Sequence, residues 1–534
     1  MFHLRVLVVI LSLCVMSCAK QQAPKTTCFR MNLGEDPATL DPRKARDINA
    51  VTLCRMLFEG LTRISKEGKP ELAVAENLEI SEDGLVYVFH LRNTLWSNGD
   101  PVTSYDFAES WKRILHPDFP TDIAFHLYLI KNAKDVKQGN KPSEELGIQT
   151  PDPLTIRVRL EEATPYFLEV CATAPFLPVP RTITAENPNW VFTPETFVGN
   201  GPFILKTWNH TDEIRVAKNS QYWDVDQVHL QEISMVMVTS DTEIQMFEEG
   251  KLDLAGAFLS SLPIDAIEQL RESGQLQVSP VSGTRFIRVN TSETIGTKRN
   301  ILSLIECRKA LSCAIDREAI TKHLLHGIKT PSSCFIPPEM ELSNSCFFSN
   351  QHKDMAHLLM QSALEAMEQT PATLEPIVLS FVDKEMNRAL AQAIQQQWEA
   401  SLGIRVRLEA VEWKVFLQKI REKDFQVVLG SWIADFNDPI NFLEVFKFKD
   451  GGSNNTNWEN AKYIELLNQS TICRDQAERK KILRDAEAIL MEEMPIIPLY
   501  HEAMNYLQRS DVQDLALSPI GQLDLRWTQR SSFK

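Results

Sequence analysis

The sequence predicts an α/β fold, and three observations carry that prediction. Between residues 377 and 411 a short apolar strand, "PIVLSFV", runs into the helical stretch "KEMNRALAQAIQQQWEASLG" and then into the alternating "IRVRLEAV". Strand, helix, strand in that order describes a parallel pair joined by a right-handed crossover. A second helical stretch leads from Trp413 to "FQVVLGSWIAD", so the alternation of helix and strand continues. The chain of 534 residues, 43% of them hydrophobic, is globular in composition, and such a length allows about two to four packed units.

Taken in order, the elements begin with a leader. "MFHLRVLVVILSLCVMSC" has one basic residue, Arg5, an apolar run over residues 6–15 and a small Ser17 before Cys18. That run is too short to span a bilayer and has signal-peptide form, so residues 1–17 are expected to be removed. "VMSC" resembles the lipobox of bacterial lipoproteins, which implies cleavage before Cys18 and lipidation of its thiol. Two acyl chains suffice for stable membrane attachment. The alternative is an ordinary secretory signal with an incidental cysteine. Further along, "LVYVFHLR" alternates as a strand, "SNGDPVT" is a turn and "SYDFAESWKRIL" a helix. "LTIRVRL" and "EIRVAK" are strands, with the turn "GNGPF" between them, and "RNILSLIECRKALSCAIDREAITKHLL" has helical character. Leu390, Ile394 and Trp398 mark one face of the later helix, which closes on Gly403. "LGSWIADFNDP" then reads as a buried strand that breaks into a turn, leaving Asp435 where the strand quits its sheet. Ligands of open α/β sheets are met beyond the carboxyl ends of strands, where Trp413 and Asp435 both fall.

A formal charge of -15 argues against nucleic acid, whose phosphates require clustered Lys and Arg. Among the 10 cysteines no spacing resembles a zinc site, and no metal or cofactor is expected. Cys334 and Cys346 flank a Pro-rich loop that a disulfide could close; two unpaired thiols are the equal alternative. GxSxG, HExxH, GxxxxGK[ST] and GxGxxG motifs are missing, which lowers the expectation of an enzyme.

Eight stretches, "TLDPRKA", "LFEGLTRIS", "YVFHLRNTLWSNGDPVTSYDFAESWKRIL", "GNGPF", "CRKALSCAIDREAI", "EWKVFLQKI", "GSWIADFNDP" and "MPIIPLY", together resemble the oligopeptide-binding lipoproteins of bacterial ABC importers. This is a branch of the extracellular solute-binding proteins of family 5, the peptide/nickel-binding type. The resemblance implies a periplasmic-binding-protein-like fold (type II, cluster C): two α/β lobes with a hinge, plus a smaller extra lobe. The implied boundaries are 18–58, 181–283 and 501–534 for the first lobe, 59–180 for the extra lobe and 284–500 for the remaining one. It further implies short peptides as ligand, a permease with separate ATPase subunits as partner, a monomer anchored outside the cytoplasmic membrane through its lipid alone, and no catalysis. Related receptors for dipeptides, cell-wall peptides, nickel chelates or haem are alternatives, as is a surface chaperone or adhesin; a hydrolase is a more distant one.

Carried over by position, Asp435 resembles the acid that meets the peptide's α-amino group, although it could simply hold the following turn. Ser431, Trp432 and Ile433 resemble the segment whose backbone bonds the peptide, and Trp413 a side-chain pocket wall. The positions that match the family's cationic partners for the peptide carboxylate are Leu325, Asn387 and Leu429, none of them cationic. Arg46 and Arg285, the latter beside Phe286, are therefore the candidates for that role, and Asn387 is expected to line the cleft. A disulfide of some relatives would need cysteines at Gly283 and Ile433, so this chain lacks it.

Overall fold

The computed structural model describes residues 28–342, 347–348, 352–450 and 453–531. The leader, Cys18 and Cys346 lie outside the described residues, and with them the lipid-anchor and disulfide expectations.

One eleven-stranded mixed sheet organises the molecule. At one end lie Phe203–Asn209, Glu213–Lys218, Glu232–Val236, Cys28–Asn32 and Leu254–Gly256; at the other lie Val406–Val411, Ile377–Val382 and Val427–Ile433. The halves are joined by two antiparallel strands of 13 residues each, Gln277–Val289 and Ile496–Gln508. Their pairing shifts register between Pro280 and Thr284, with Pro280 opposite Ala503 and Thr284 opposite His501. An irregularity there lets the two halves hold different twists, because a bulge bends its strand and loosens the local ladder. Both connections between halves thus run through the same few residues.

A separate four-stranded antiparallel sheet, in the order Ala75–Ile80, Val86–Leu91, Thr155–Arg159, Ile148–Asp152, carries the helix Ser104–Leu115. Asp106 closes a capping box at its start, accepting from Thr103 N and Oγ1, each at 2.8 Å. Phe107 and Trp111 are fully buried on its inner face.

Ile377–Val382 and Val406–Val411 pair in parallel around the helix Glu385–Leu402, whose Leu390, Ile394 and Trp398 are fully buried. Gly403 ends that helix at φ 66°, a left-handed cap that a Cβ would strain. The helix-like stretch at residues 299–325 is made of several short helical segments with breaks between them. Ile305–Cys313 ends before Ile315, and Asp316 caps a new turn by accepting from Ala319 N at 2.9 Å. Arg317 stands at that break, fully buried, donating to the Pro498 carbonyl at 2.8 Å and to the Ser312 carbonyl at 3.0 Å. This tertiary network overrides the helical periodicity.

Candidate ligand cleft

Asp435 is placed by the turn that follows Val427–Ile433. Asp438 accepts from Ile440 N at 2.9 Å and is gripped at both oxygens by Arg479, at 2.7 and 2.9 Å. Asn441 folds back on the strand end: its Oδ1 accepts from Asp435 N at 3.2 Å and from Trp432 Nε1 at 3.0 Å. The Asp435 side chain is left facing the cleft. Crowding by protein atoms pushes its carboxyl above the usual range, while the His126 imidazole and Asn441 oppose that rise. His126 itself, in the turn Ala124–Leu129, is pushed below the ordinary imidazole value by burial, with Asp435 pulling the other way. The Asp435 carboxylate is open to solvent at the cleft wall, and a ligand ammonium would give it a full positive partner.

Two cavities meet at Asp435, Phe125 and His126. The larger, about 620 Å3, is walled by Ile433 and Ala434, by Ile48, Val51 and Arg55 of the helix Ile48–Leu57, and by Thr173 and Pro175. The smaller, about 260 Å3, adds Tyr166, Trp432, Phe436 and Glu444. Both halves of the sheet and the four-stranded unit therefore supply walls. At the wall of the smaller cavity Tyr166 and Phe436 stack with centroids 4.8 Å apart and planes 6° from parallel.

The strand Val427–Ile433 offers the cleft a free edge. On one side its ladder with Gln277–Val289 runs from Val427 to Ile433. On the other, Ile377–Val382 covers only Val427 and Val428. Among the described residues no strand pairs with Leu429–Ile433 on that side, so the backbone groups beside Ser431 and Trp432 are available to an added strand.

The remaining expected residues are dispersed. Ser431 is exposed at that edge opposite Arg285, while Ile433, 41% exposed, lines the larger cavity. Gly283 and Ile433 face each other in register, and neither is a cysteine. Trp413 begins the helix Trp413–Glu422, is exposed, stacks on Phe416 and lines neither cavity. Phe286 is corrected to a core residue: it is fully buried and packs edge-on against Phe335 at 5.3 Å. The Leu325 and Leu429 side chains are likewise buried in the core beneath Ile377–Val382, so they do not line the cleft. Arg285 donates to Asn387 Oδ1 at 2.5 Å, and Asn387 donates to the Val382 carbonyl at 2.9 Å. Arg46 does line the larger cavity, but it is ion-paired with Asp122. Sequence reasoning missed Arg55, His126 and Tyr166. Only the long-range packing brings them to Asp435.

Residues 69–454 match the model of the bacterial extracellular solute-binding proteins, family 5. The chain is 35% identical over 514 residues to the oligopeptide-binding protein OppA of Bacillus subtilis, covering 95% of this chain and 93% of that one. Among solved structures, the unliganded open form of the periplasmic murein tripeptide-binding protein MppA superposes with TM-score 0.79 at 26% identity, covering 95% of this chain and 98% of that one. Haemophilus influenzae OppA in complex with RPPGFSPFR gives 0.77 at 25% identity, covering 96% and 100%. The chain belongs to the family 5 extracellular solute-binding proteins, with their periplasmic-binding-protein-like α/β fold. That family consists of binding proteins rather than enzymes.

Proposed function

We propose that this chain is the receptor of an ABC importer: it captures short peptides outside the cytoplasmic membrane and delivers them to a permease driven by separate ATPase subunits. The observation that carries the reading is the free edge of Val427–Ile433 ending on Asp435. Main-chain bonds to that edge hold a peptide of any sequence, and Asp435 fixes its α-amino end. Water in the cavities lets unlike side chains be accommodated. Oligopeptide binding is also what the Bacillus subtilis relative is named for.

Residues 18–58, 181–283 and 501–534 form one lobe in this reading, 59–180 the extra lobe and 284–500 the other, the peptide favouring closure because it touches both sides at once. The mature protein is a monomer held at the membrane by lipid on Cys18. Cys18→Ala should abolish incorporation of labelled fatty acid and release the protein, leaving peptide affinity unchanged; label retained on the variant would refute the anchor.

Native mass spectrometry of the mature protein with an equimolar set of peptides of two to five residues, free and N-acetylated, tests the receptor reading. Retention of free peptides in preference to acetylated ones is expected. Equal retention of both, or of neither, would contradict it.

A further inference from the structure

The two cavities that meet at Asp435 differ in charge. In the larger, Arg46 and Arg55 offset Asp122 and Asp435; the smaller has Asp435 and Glu444 at its wall and neither arginine nor lysine. Its remaining basic group, the His126 imidazole, is kept uncharged at neutral pH by burial.

Glu444 reaches that wall by helical spacing. It follows Asn441 by three positions through the short segments Ile440–Leu443 and Glu444–Phe446, so that Asn441, Glu444 and Val445 share one side while Phe442, Leu443 and Phe446 are fully buried on the other. The Glu444 side chain is exposed, and among the described residues it makes no hydrogen bond and no ion pair. Nearby cations are engaged elsewhere: Lys447 Nζ lies 5.5 Å from the Phe448 ring centroid, and Arg479 holds both oxygens of Asp438. Crowding by protein atoms pushes the Glu444 carboxyl above its usual range, with Lys447 and Arg479 opposing the rise and Asp438 and Glu162 adding to it. The facing wall is apolar and aromatic, with Leu129, Val170, Phe125 and Tyr166. The cavity therefore joins an unpaired carboxylate to an apolar surface. A lysine or arginine side chain suits both parts, because its stem lies along apolar surface while its head stays charged, and aromatic rings favour a cation further. An acidic side chain would meet Asp435 and Glu444 as like charges.

We propose that the smaller cavity receives the side chain of the peptide's first residue and favours a cationic one, with Glu444 setting that choice. The inference rests on the peptide reading above and adds a sequence preference to it: binding along the strand edge is indifferent to sequence, whereas the first side chain is selected by charge. The placement follows from Asp435. A residue whose ammonium sits on Asp435 has its side chain where the cavities meet, and of the two only the smaller offers a second carboxylate without a cationic partner, since Asp122 in the larger is paired with Arg46. A peptide that begins with lysine or arginine thus brings two positive charges to this end of the cleft, one for each carboxylate.

The test takes the tightest-binding peptide of the two-to-five-residue set and remakes it with lysine, norleucine or glutamate as first residue, norleucine keeping the lysine stem without its charge. Calorimetry is run on the wild type, Glu444→Gln and Glu444→Lys, with thermal unfolding as a check on folding. The wild type should bind the lysine peptide about tenfold more tightly than the norleucine peptide, and the glutamate peptide most weakly. Glu444→Gln should abolish most of the lysine-over-norleucine preference, and Glu444→Lys should turn the preference toward glutamate. A lysine preference absent from the wild type, or undiminished in Glu444→Gln, overturns the assignment, while binding of the norleucine peptide leaves the peptide reading intact. With lysine moved to the second residue, a Glu444-dependent preference found there and not at the first overturns the placement. Should Glu444→Gln lose its thermal transition, Glu444→Lys decides: a reduced or inverted preference supports the assignment and an undiminished one overturns it. If the wild type binds no peptide of the set, the peptide reading fails and this inference falls with it.

Discussion

At Asp435 the cleft holds a carboxyl group whose environment resists its charge, through lost hydration, more than His126 and Asn441 favour it. In the proposed complex a ligand ammonium would reverse that balance and make the carboxyl more acidic than in the free protein. Removing its charge leaves the ammonium unpaired, and Asp435→Asn should weaken a tight peptide by about a hundredfold or more; calorimetry of the variant checks this. The sign of the pH dependence follows. Affinity is fully present above the raised pKa of the free receptor and is lost as pH falls through it, a loss that Asp435→Asn should not show. Asp435 was legible because an apolar strand running into an Asn-Asp-Pro turn is a local signal. Arg55 was not, since periodicity places it on a helix but only the packed molecule shows which face of that helix stays uncovered. Phe286 misled for a related reason: adjacent strand residues point to opposite faces, so its neighbour Arg285 approaches Asn387 while Phe286 enters the core.

The helix that carries Arg55 is fixed by "GNGPF". A Cβ on Gly199 would stand 2.1 Å from the Leu57 carbonyl oxygen, and one on Gly201 would stand 2.5 Å from Leu57 C and Phe58 N. Asn200 between them accepts from Glu59 N and donates to the Glu59 carbonyl, each at 2.9 Å. The turn is a backbone clamp on the end of Ile48–Leu57. Gly201→Ala should therefore destabilise the protein by roughly 1–3 kcal/mol through forced backbone shifts, seen as a lowered Tm, and should disturb Arg55 more than Asp435. The crossing strands raise a second matter. His501 lies between Thr284 Oγ1 at 3.0 Å and Ser332 Oγ at 2.8 Å, and burial pushes its imidazole down to about 4. The neutral ring's contribution is complete above the unfolded value near 6.5 and is lost as pH falls toward 4. By about pH 4.5 that loss amounts to roughly 2 kcal/mol, and His501→Gln should show a shallower fall of Tm from pH 7 to 4.5 than the wild type. The strand through residues 277–289 was hidden from the sequence, because Pro280 and Gly283 interrupt the alternation by which a strand is recognised.

Across the whole molecule the four-stranded unit and the turn after Val427–Ile433 touch at one border of the cleft, where Tyr166 stacks on Phe436. The Arg479 guanidinium lies 6.0 Å from the Tyr166 ring while holding Asp438, so the turn that places Asp435 is tied to the contact across the cleft. The α/β class and the crossover unit at residues 377–411 were legible from periodicity, and the lobed arrangement only through family resemblance. No local pattern encodes which distant strands share a sheet. Among the described residues two strands join the halves of that sheet, and both are irregular at the same level. A ligand touching both halves therefore acts on one narrow pivot, and Tyr166→Ala should weaken peptide binding severalfold by calorimetry without touching either ligand terminus. The central claim, that a peptide spanning the cleft from the Asp435 edge draws the halves together, is tested most directly by small-angle X-ray scattering of the mature wild-type protein with and without a saturating tight-binding peptide. The account predicts a smaller radius of gyration and a narrower distance distribution in the complex; an unchanged profile at saturation would contradict it.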